Sequence, residues 1–499
     1  MLAMSAPPSF ARSPGSRPLR LPAAGGGLMG VLPLDGPVRL EARTDRQPLF
    51  DGRSTDLMAY RVQASGRELF NPLLLARRGQ TVDVTLANRL GEDTTIHWHG
   101  LAVDERNDGS GMFPVRHGDE YVYRFRLENR AGLYWYHPHP HHRTGAQIHQ
   151  GLGGLLLVSD AEDDALRREL GLAIGETEIP IVIQDKRVDA RNRLRYEMGE
   201  DDWIGNRMLT NYTAEASLAT RACLHRFRLL NGSNSRSYLI AFRQSDRLLP
   251  YKLIGTDGGL LARPVDIDRC FLAPAQRIDV LVDFGELLAG SSVVMASLPF
   301  DPMDNDGRAE ASGMEHPGAP PPGSPLELLR IELAHSPCAP AKGPSVLGDL
   351  PVASRNAARV RRFRLHIDGV RWMINGYNYR DDMHAVKERV ARGSREIWEI
   401  SNDTRSMPHA MHVHGFQFRV VERRKSPPPV RALARGARGL MPQDEGLQDT
   451  VLVWPGETVA IALDFAQPFS GTQRYMFHCH NLEHEDQGMM LNFAVEDRA

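Results

Sequence analysis

An all-β chain of three consecutive sandwich units is predicted by three observations. Short alternating stretches recur from end to end, turn-forming clusters separate them, and a few phrases repeat in three places. In stretches such as TVDVTL (81–86), YVYRFRL (121–127) and RFRLL (226–230), apolar and polar residues alternate with period two, the pattern of a half-buried strand. Gly, Asn, Asp and Pro clusters between them mark turns. The phrases GQTVDVTLANR (79–89), RFRLLNGSNSR (226–236) and REIWEISNDTR (395–405) each read as a strand ending in Asn and a polar turn. ARRGQTVDVTL, PAQRIDVLVDF (274–284) and PGETVAIALDF (455–465) form a second set, and such internal echoes are the mark of a repeated unit.

Two interruptions divide the chain. In DAEDDALRRELGL (160–172) acidic residues precede basic ones, which matches the charge preference of a short helix. In PCAPAKGPSVLGDLP (337–351) Pro and Gly prevent regular structure. The expected organisation is a flexible Pro-, Gly- and Arg-rich tail (1–35), a first domain (36–160), a helical linker (161–178), a second domain (179–338), a second linker (339–357) and a third domain (358–499).

Composition removes several function classes. A length of 499 residues exceeds what one core supports, so several domains are required. The net charge of −2, with acidic and basic residues intermixed, argues against a nucleic-acid track and a polybasic membrane surface. No apolar run reaches the length of a membrane span, and the N-terminal stretch has no apolar signal-peptide core. The four cysteines, Cys223, Cys270, Cys338 and Cys479, are too few and scattered for a disulfide scaffold and form no CxxC zinc pattern.

The chemistry lies in the histidines. Ten of the 19 fall in four clusters: His97 and His99; His137 and His139; His409, His412 and His414; and His478, His480 and His484 around Cys479. Residues i and i+2 of a strand share a face, so each H-x-H presents two imidazoles side by side as a clamp for a metal. One such pair is usually an ordinary hydrogen-bonded pair; four are not. A thiolate, two imidazoles and a weak thioether form the donor set of a blue copper site, and Cys479, His409, His484 and Met489 supply it. A closed Cys- and His-rich zinc tetrahedron has neither this spacing nor this balance.

The motifs HWHG (97–100), YWYHPHPH (134–141), MPHAMHVHGFQF (407–418) and HCHNLEHEDQGM (478–489) resemble those of three-domain multicopper oxidases of the bacterial laccase-like type. GLGGLLLV (151–158), RFRLLNGSNSR and QDTVLVWPGE (448–457) carry the resemblance across most of residues 40–499. It implies three cupredoxin-like Greek-key β-sandwich domains and four copper ions. By motif position, His409, Cys479, His484 and axial Met489 would hold the type 1 copper, and His97 and His412 the type 2 copper. His99, His137 and His480 would hold one type 3 ion, and His139, His414 and His478 the other. Alternation along the last strand then makes Cys479 a bridge between two centres, since its neighbours His478 and His480 face the other way.

The resemblance also implies the reaction: one-electron oxidation of a small reductant coupled to four-electron reduction of dioxygen to water. Buried dioxygen reduction needs protons, and Asp108 and Glu485 stand where the resembling enzymes place acids, Glu485 towards dioxygen and Asp108 towards the type 2 side. His141 and His142 are expected behind the ligands or along a channel wall, and Met490 in the core. His117, His149, His225, His335, His366 and His384 are expected to be ordinary isolated histidines.

A phenol or aromatic amine is the expected donor. The alternative is a metal ion, Cu(I) or Fe(II), for which the Met303, Met314 and His316 loop and Met407 are candidate contacts, while Arg405 stands where cuprous oxidases tend to place an acid. A copper-binding protein without turnover is a third reading, against which the complete ligand set counts. The expected protein is a monomer, with a periplasmic or extracellular location implied by the resemblance alone.

Overall fold

The computed structural model describes residues 15–22, 25–197, 202–288, 290–303, 318–334, 343–350, 357 and 359–497. Met314, His316, His335 and Cys338 lie outside them. Among the described residues there are six sheets, two per sandwich. The first pair joins the sheet containing Val38–Gln47 and Thr81–Asn88 to the one containing Leu73–Arg77, Gly132–His137 and Gly154–Ser159. Leu40, Val82 and Val84 from one sheet meet Leu74, Trp98, Tyr134 and Leu156 from the other in one core. Equivalent cores fill the second sandwich around Ile181, Phe227, Val280 and Ile331, and the third around Phe363, Trp398, Ile461 and Phe477.

The linker helix forms at Ala161–Leu170. Asp160 accepts the backbone N–H of Asp163 as its N-cap, and Gly171 ends it in the left-handed region at φ 62°. The N-terminal segment departs from the expected tail. Its described residues, 15–22 and 25–35, are built into the fold: Arg17–Pro18 pairs with Ala216–Ser217 of the second sandwich, and Val31–Pro33 pairs with Leu73–Leu75 of the first. Leu19 packs into the second core and Leu32 into the first. Pro- and Arg-rich composition conceals these strands because each is only two or three residues long and borrows its hydrogen bonds from a longer neighbour. Cys223 is disulfide-bonded, whereas Cys270 and Cys479 are free thiols.

Candidate metal centre

Register brings the histidine motifs together. Strand His97–His99 runs antiparallel to Gly132–His137, with His97 opposite His137 and His99 opposite Trp135. Strand His409–Val413 runs antiparallel to Gln473–Cys479, with His412 opposite His478 and Met411 opposite Cys479. Pro138 has no N–H to continue the ladder, so the first pairing stops there and His139 turns inward beyond it. The two strand pairs belong to the first and third sandwiches, and their eight imidazoles form one buried cluster at the seam. His99 and His480 ring centres are 5.0 Å apart, His139 and His414 5.0 Å, His139 and His478 5.0 Å, and His97 and His412 5.8 Å.

Within the cluster, most imidazoles use one nitrogen outward and leave the other inward. His97 donates from Nδ1 to the Asp108 carbonyl (2.7 Å), His412 from Nδ1 to the Asp449 carbonyl (2.8 Å), and His137 from Nδ1 to the Pro138 carbonyl (2.9 Å). His414 donates from Nδ1 to Asp108 Oδ2 (2.8 Å), and His99 from Nε2 to Asp449 Oδ1 (3.0 Å). These outward bonds select the tautomer whose free lone pair points at its neighbours. His414 Nε2 lies 2.9 Å from His478 Nε2, His139 Nε2 3.4 Å from His478 Nε2, and His99 Nδ1 3.3 Å from His137 Nε2. Nε2 of His97, Nε2 of His412 and both ring nitrogens of His480 are buried without a hydrogen-bond partner. Burial lowers every one of these imidazoles below its ordinary pKa, His97 to about 3 and His478 to about 4, so at neutral pH they are uncharged. Neutral, buried lone pairs converging on each other could hold a metal ion, and among the described residues several of these nitrogens have no other partner.

A second group lies on the other side of Cys479. Its Sγ is 3.5 Å from Nδ1 of His409 and 3.5 Å from Nδ1 of His484, and the two Nδ1 atoms are 3.1 Å apart. The centre of that triangle lies about 2 Å from each corner, the length of a bond from an imidazole nitrogen to a first-row divalent metal. His409 is oriented by Ser406 Oγ, 3.0 Å from Nε2. Met489 is buried in the same core as Cys479, and its backbone carbonyl accepts the Cys479 N–H. The Trp372 ring closes the group, 4.3 Å from His484 and 5.0 Å from His409.

The expected proton carriers are both at the histidine cluster and both buried. Glu485 brings Oε1 to 3.5 Å from His139 Nε2 and Oε2 to 3.3 Å from His478 Nδ1. Asp108 touches His97 through its carbonyl and His414 through its carboxylate, so it spans both sides of the cluster. Burial, reinforced by Asp486 for Glu485 and by Asp104 and Glu105 for Asp108, pushes both carboxyl groups well above the usual range. His142 donates from Nδ1 to the Asp486 carbonyl (2.9 Å), the His141 ring lies tilted 5.3 Å from that of Tyr379, and Met490 is buried beside Met476. His225 is satisfied by Thr220 and the Cys223 carbonyl.

Three contributors escape the sequence motifs. Asp449, which braces His99 and His412, is itself held by both terminal nitrogens of Arg277 from the second sandwich, while Asp257 accepts from the Asp449 and Arg277 backbone N–H groups. Gly100 of HWHG makes room for this pair: at φ 86°, a Cβ there would fall 2.4 Å from Asp449 and 2.8 Å from Arg277. Asp449 lies in the QDT phrase, but nothing local in sequence joins it to Arg277. The third is Asp202, whose Oδ1 is 3.9 Å from His484 Nε2 and 3.5 Å from Asn481 Nδ2.

The fold and the two donor groups define a copper-dependent oxidoreductase, and comparison with known proteins agrees. Multicopper oxidase family models match residues 53–163 and 355–499. The structure superposes on the McoA multicopper oxidase from the hyperthermophile Aquifex aeolicus with a TM-score of 0.86 and 32% identity, covering 97% of this chain and 100% of that one. Bilirubin oxidase from Albifimbria verrucaria is 29% identical over 88% of this chain and 73% of its own length. Laccase from Bacillus subtilis is 27% identical over 81% of this chain and 80% of its own. The chain belongs to the multicopper oxidase family, whose members carry copper and use dioxygen to oxidise reducing substrates.

Proposed function

We propose that the protein is a laccase-type oxidase of phenols or aromatic amines that holds four copper ions. His409, Cys479, His484 and Met489 would hold the type 1 ion, and His97 with His412 the type 2 ion. The type 3 pair would be held by His99, His137 and His480 on one side and by His139, His414 and His478 on the other. Bound copper supplies the one-electron steps between the donor and dioxygen. The carrying observation is the shared segment His478–Cys479–His480, which puts its sulfur in one donor group and its imidazoles in the other. One residue thus links the group reached by the donor to the group reached by dioxygen through a short covalent path.

The remaining residues have separable tasks. Glu485 holds a proton beside His139 and His478, and Asp108 holds one beside His414, ready for oxygen atoms leaving as water. Arg277 and Asp449 keep His99 and His412 aimed inward. Arg405, exposed four residues before His409, replaces the acid expected of a metal-ion oxidase and favours an organic donor. A second reading, oxidation of Cu(I) or Fe(II), is favoured by Asp202, a carboxylate beside the outer nitrogen of His484. Side-by-side turnover of the copper-loaded protein on a phenol, Cu(I) and Fe(II) tests the two. Faster turnover on either ion than on the phenol would overturn the laccase reading.

A further inference from the structure

A patch of thioethers stands beside the histidine cluster and belongs to neither donor group. In the antiparallel pair Gln473–Cys479 and Met490–Glu496, Met490 is directly opposite His478, and Met476 precedes His478 by two residues. Cross-strand partners and residues i and i+2 share a face, so both methionines lie on the His478 side of the sheet. Cys479 and Met489 are buried in the core on the other side. Met476 and Met490 are buried with Tyr379, and half-buried Met112, Tyr377 and Met383 pack against them from two loops.

Imidazoles border this patch on its outer side. The His141 ring is 5.3 Å from that of Tyr379 and lies against Gly111, where a Cβ would fall 2.8 Å from His141 Nδ1; Met112 is the next residue. That Nδ1 is buried without a hydrogen-bond partner among the described residues. The His142 ring is 6.2 Å from that of His141, and exposed His384 directly follows Met383. The loop carrying Met383 is fixed on the turn after Glu485: Arg380 donates to the Asp486 carbonyl (2.7 Å), Asn378 to the Gln487 carbonyl (2.9 Å) and the Tyr379 N–H to the Gly488 carbonyl (2.9 Å). Exposed imidazole, half-buried thioethers, buried thioethers and the imidazole of His478 therefore succeed one another from the surface inward. Leucine would fill the same volume and hold its shape better. What the thioethers and a free imidazole nitrogen add is affinity for a soft cation.

We propose that His141, Met112 and Met383 form a Cu(I) site through which copper enters the histidine cluster, with Met476 and Met490 as the inner step beside His478. The ion crosses as Cu(I) and exchanges no electron here. It moves inward because the converging imidazole nitrogens beyond, several of them without another partner among the described residues, offer the stronger donor set. The inference rests on reading the histidine cluster as a copper site and specifies how that site is filled.

The test uses the full chain and Cu(I) alone, without dioxygen, in competition with a chromogenic Cu(I) chelator. Blue, fully loaded wild type should bind a further Cu(I) ion, and Met112→Leu combined with Met383→Leu, which keeps side-chain volume, should weaken that binding by about tenfold or more. In a second arm, copper-free protein is mixed with Cu(I), quenched with the chelator at intervals and exposed to air, so that blue absorption reads the Cys479 group and total copper the remainder. The variant should fill the Cys479 group at the wild-type rate and the histidine cluster severalfold more slowly. His141→Gln should reproduce both effects and serves if the double variant fails to fold. Blue wild type that takes up no further Cu(I), a variant that binds it as tightly, or equal slowing or no slowing of both groups would overturn the entry site alone. Colourless wild type that retains fewer than four ions would overturn the copper reading, and the entry site with it.

Discussion

Two buried polar clusters in this molecule handle desolvation in opposite ways. At the linker helix, Arg167, Arg226 and Arg228 meet Asp163, Glu178 and Asp279; Arg228 donates to both Glu178 and Asp163, and Arg226 to Asp279. Charges there are balanced within the protein. At the seam of the first and third sandwiches, the eight imidazoles are neutral and turn their lone pairs on one another, with partnerless nitrogens on His97, His412 and His480. The first cluster is complete as polypeptide and ties the linker to the second sandwich. The second leaves lone pairs that a bound cation would satisfy, and the proposed copper cluster rests on that difference.

The largest effect should come from breaking the link between the two donor groups. Cys479→Ser is expected to abolish the blue absorption and donor oxidation and to remove one copper per chain while the fold persists by circular dichroism. Retained oxidation rates would refute the electron path. Next, Arg226→Met should leave Asp163 and Asp279 short of a cation and cost about 3–5 kcal/mol of stability in denaturant melts. Copper stoichiometry should stay unchanged; if copper is lost in parallel, the two clusters are not independent.

Glu485→Gln should slow reoxidation by dioxygen by about 10²-fold and leave reduction by the donor nearly intact, read by stopped-flow bleaching and recovery of the blue band. Equal slowing of both half-reactions would remove its proton role. The structural cluster also has a pH signature. Burial raises Glu178, but the Arg228 and Arg226 guanidinium groups and the Arg167 hydrogen bond outweigh it and hold the carboxyl at about 2, below its ordinary 4.5. Its contribution is therefore fully present above pH 4.5, and is lost as pH falls through about 2. Glu178→Gln should flatten the acid limb of the stability curve, and an unchanged slope would show that Glu178 is not ion-paired in solution. The smallest effect is expected of Asp202→Asn: a severalfold rise in KM for donors presenting an N–H or O–H, with the blue band unmoved. A shifted band would instead make Asp202 part of the copper environment.

Much of the site was legible because its chemistry is written in short range. Four H-x-H phrases, a Cys between two of the histidines and a strand period of two were enough to separate the two donor groups. The N-terminal segment was misread for the converse reason: strands of two or three residues hold too little pattern to show alternation, and their stability comes from the sheets they join. Asp449 and Asp202 were missed because an isolated acid between strands has no signature of its own. Asp449 gains its task only when Arg277, 172 residues away, arrives from another sandwich, and Asp202 only when its loop reaches His484.

By itself, the sequence determined which atoms could bind copper and which face of each strand would show them, since both follow from residue type and local period. Only the tertiary structure decided which motif pairs meet, which nitrogen of each imidazole is free, and which buried charges are already matched. These depend on register between distant strands and on hydrogen bonds made by residues that carry no motif.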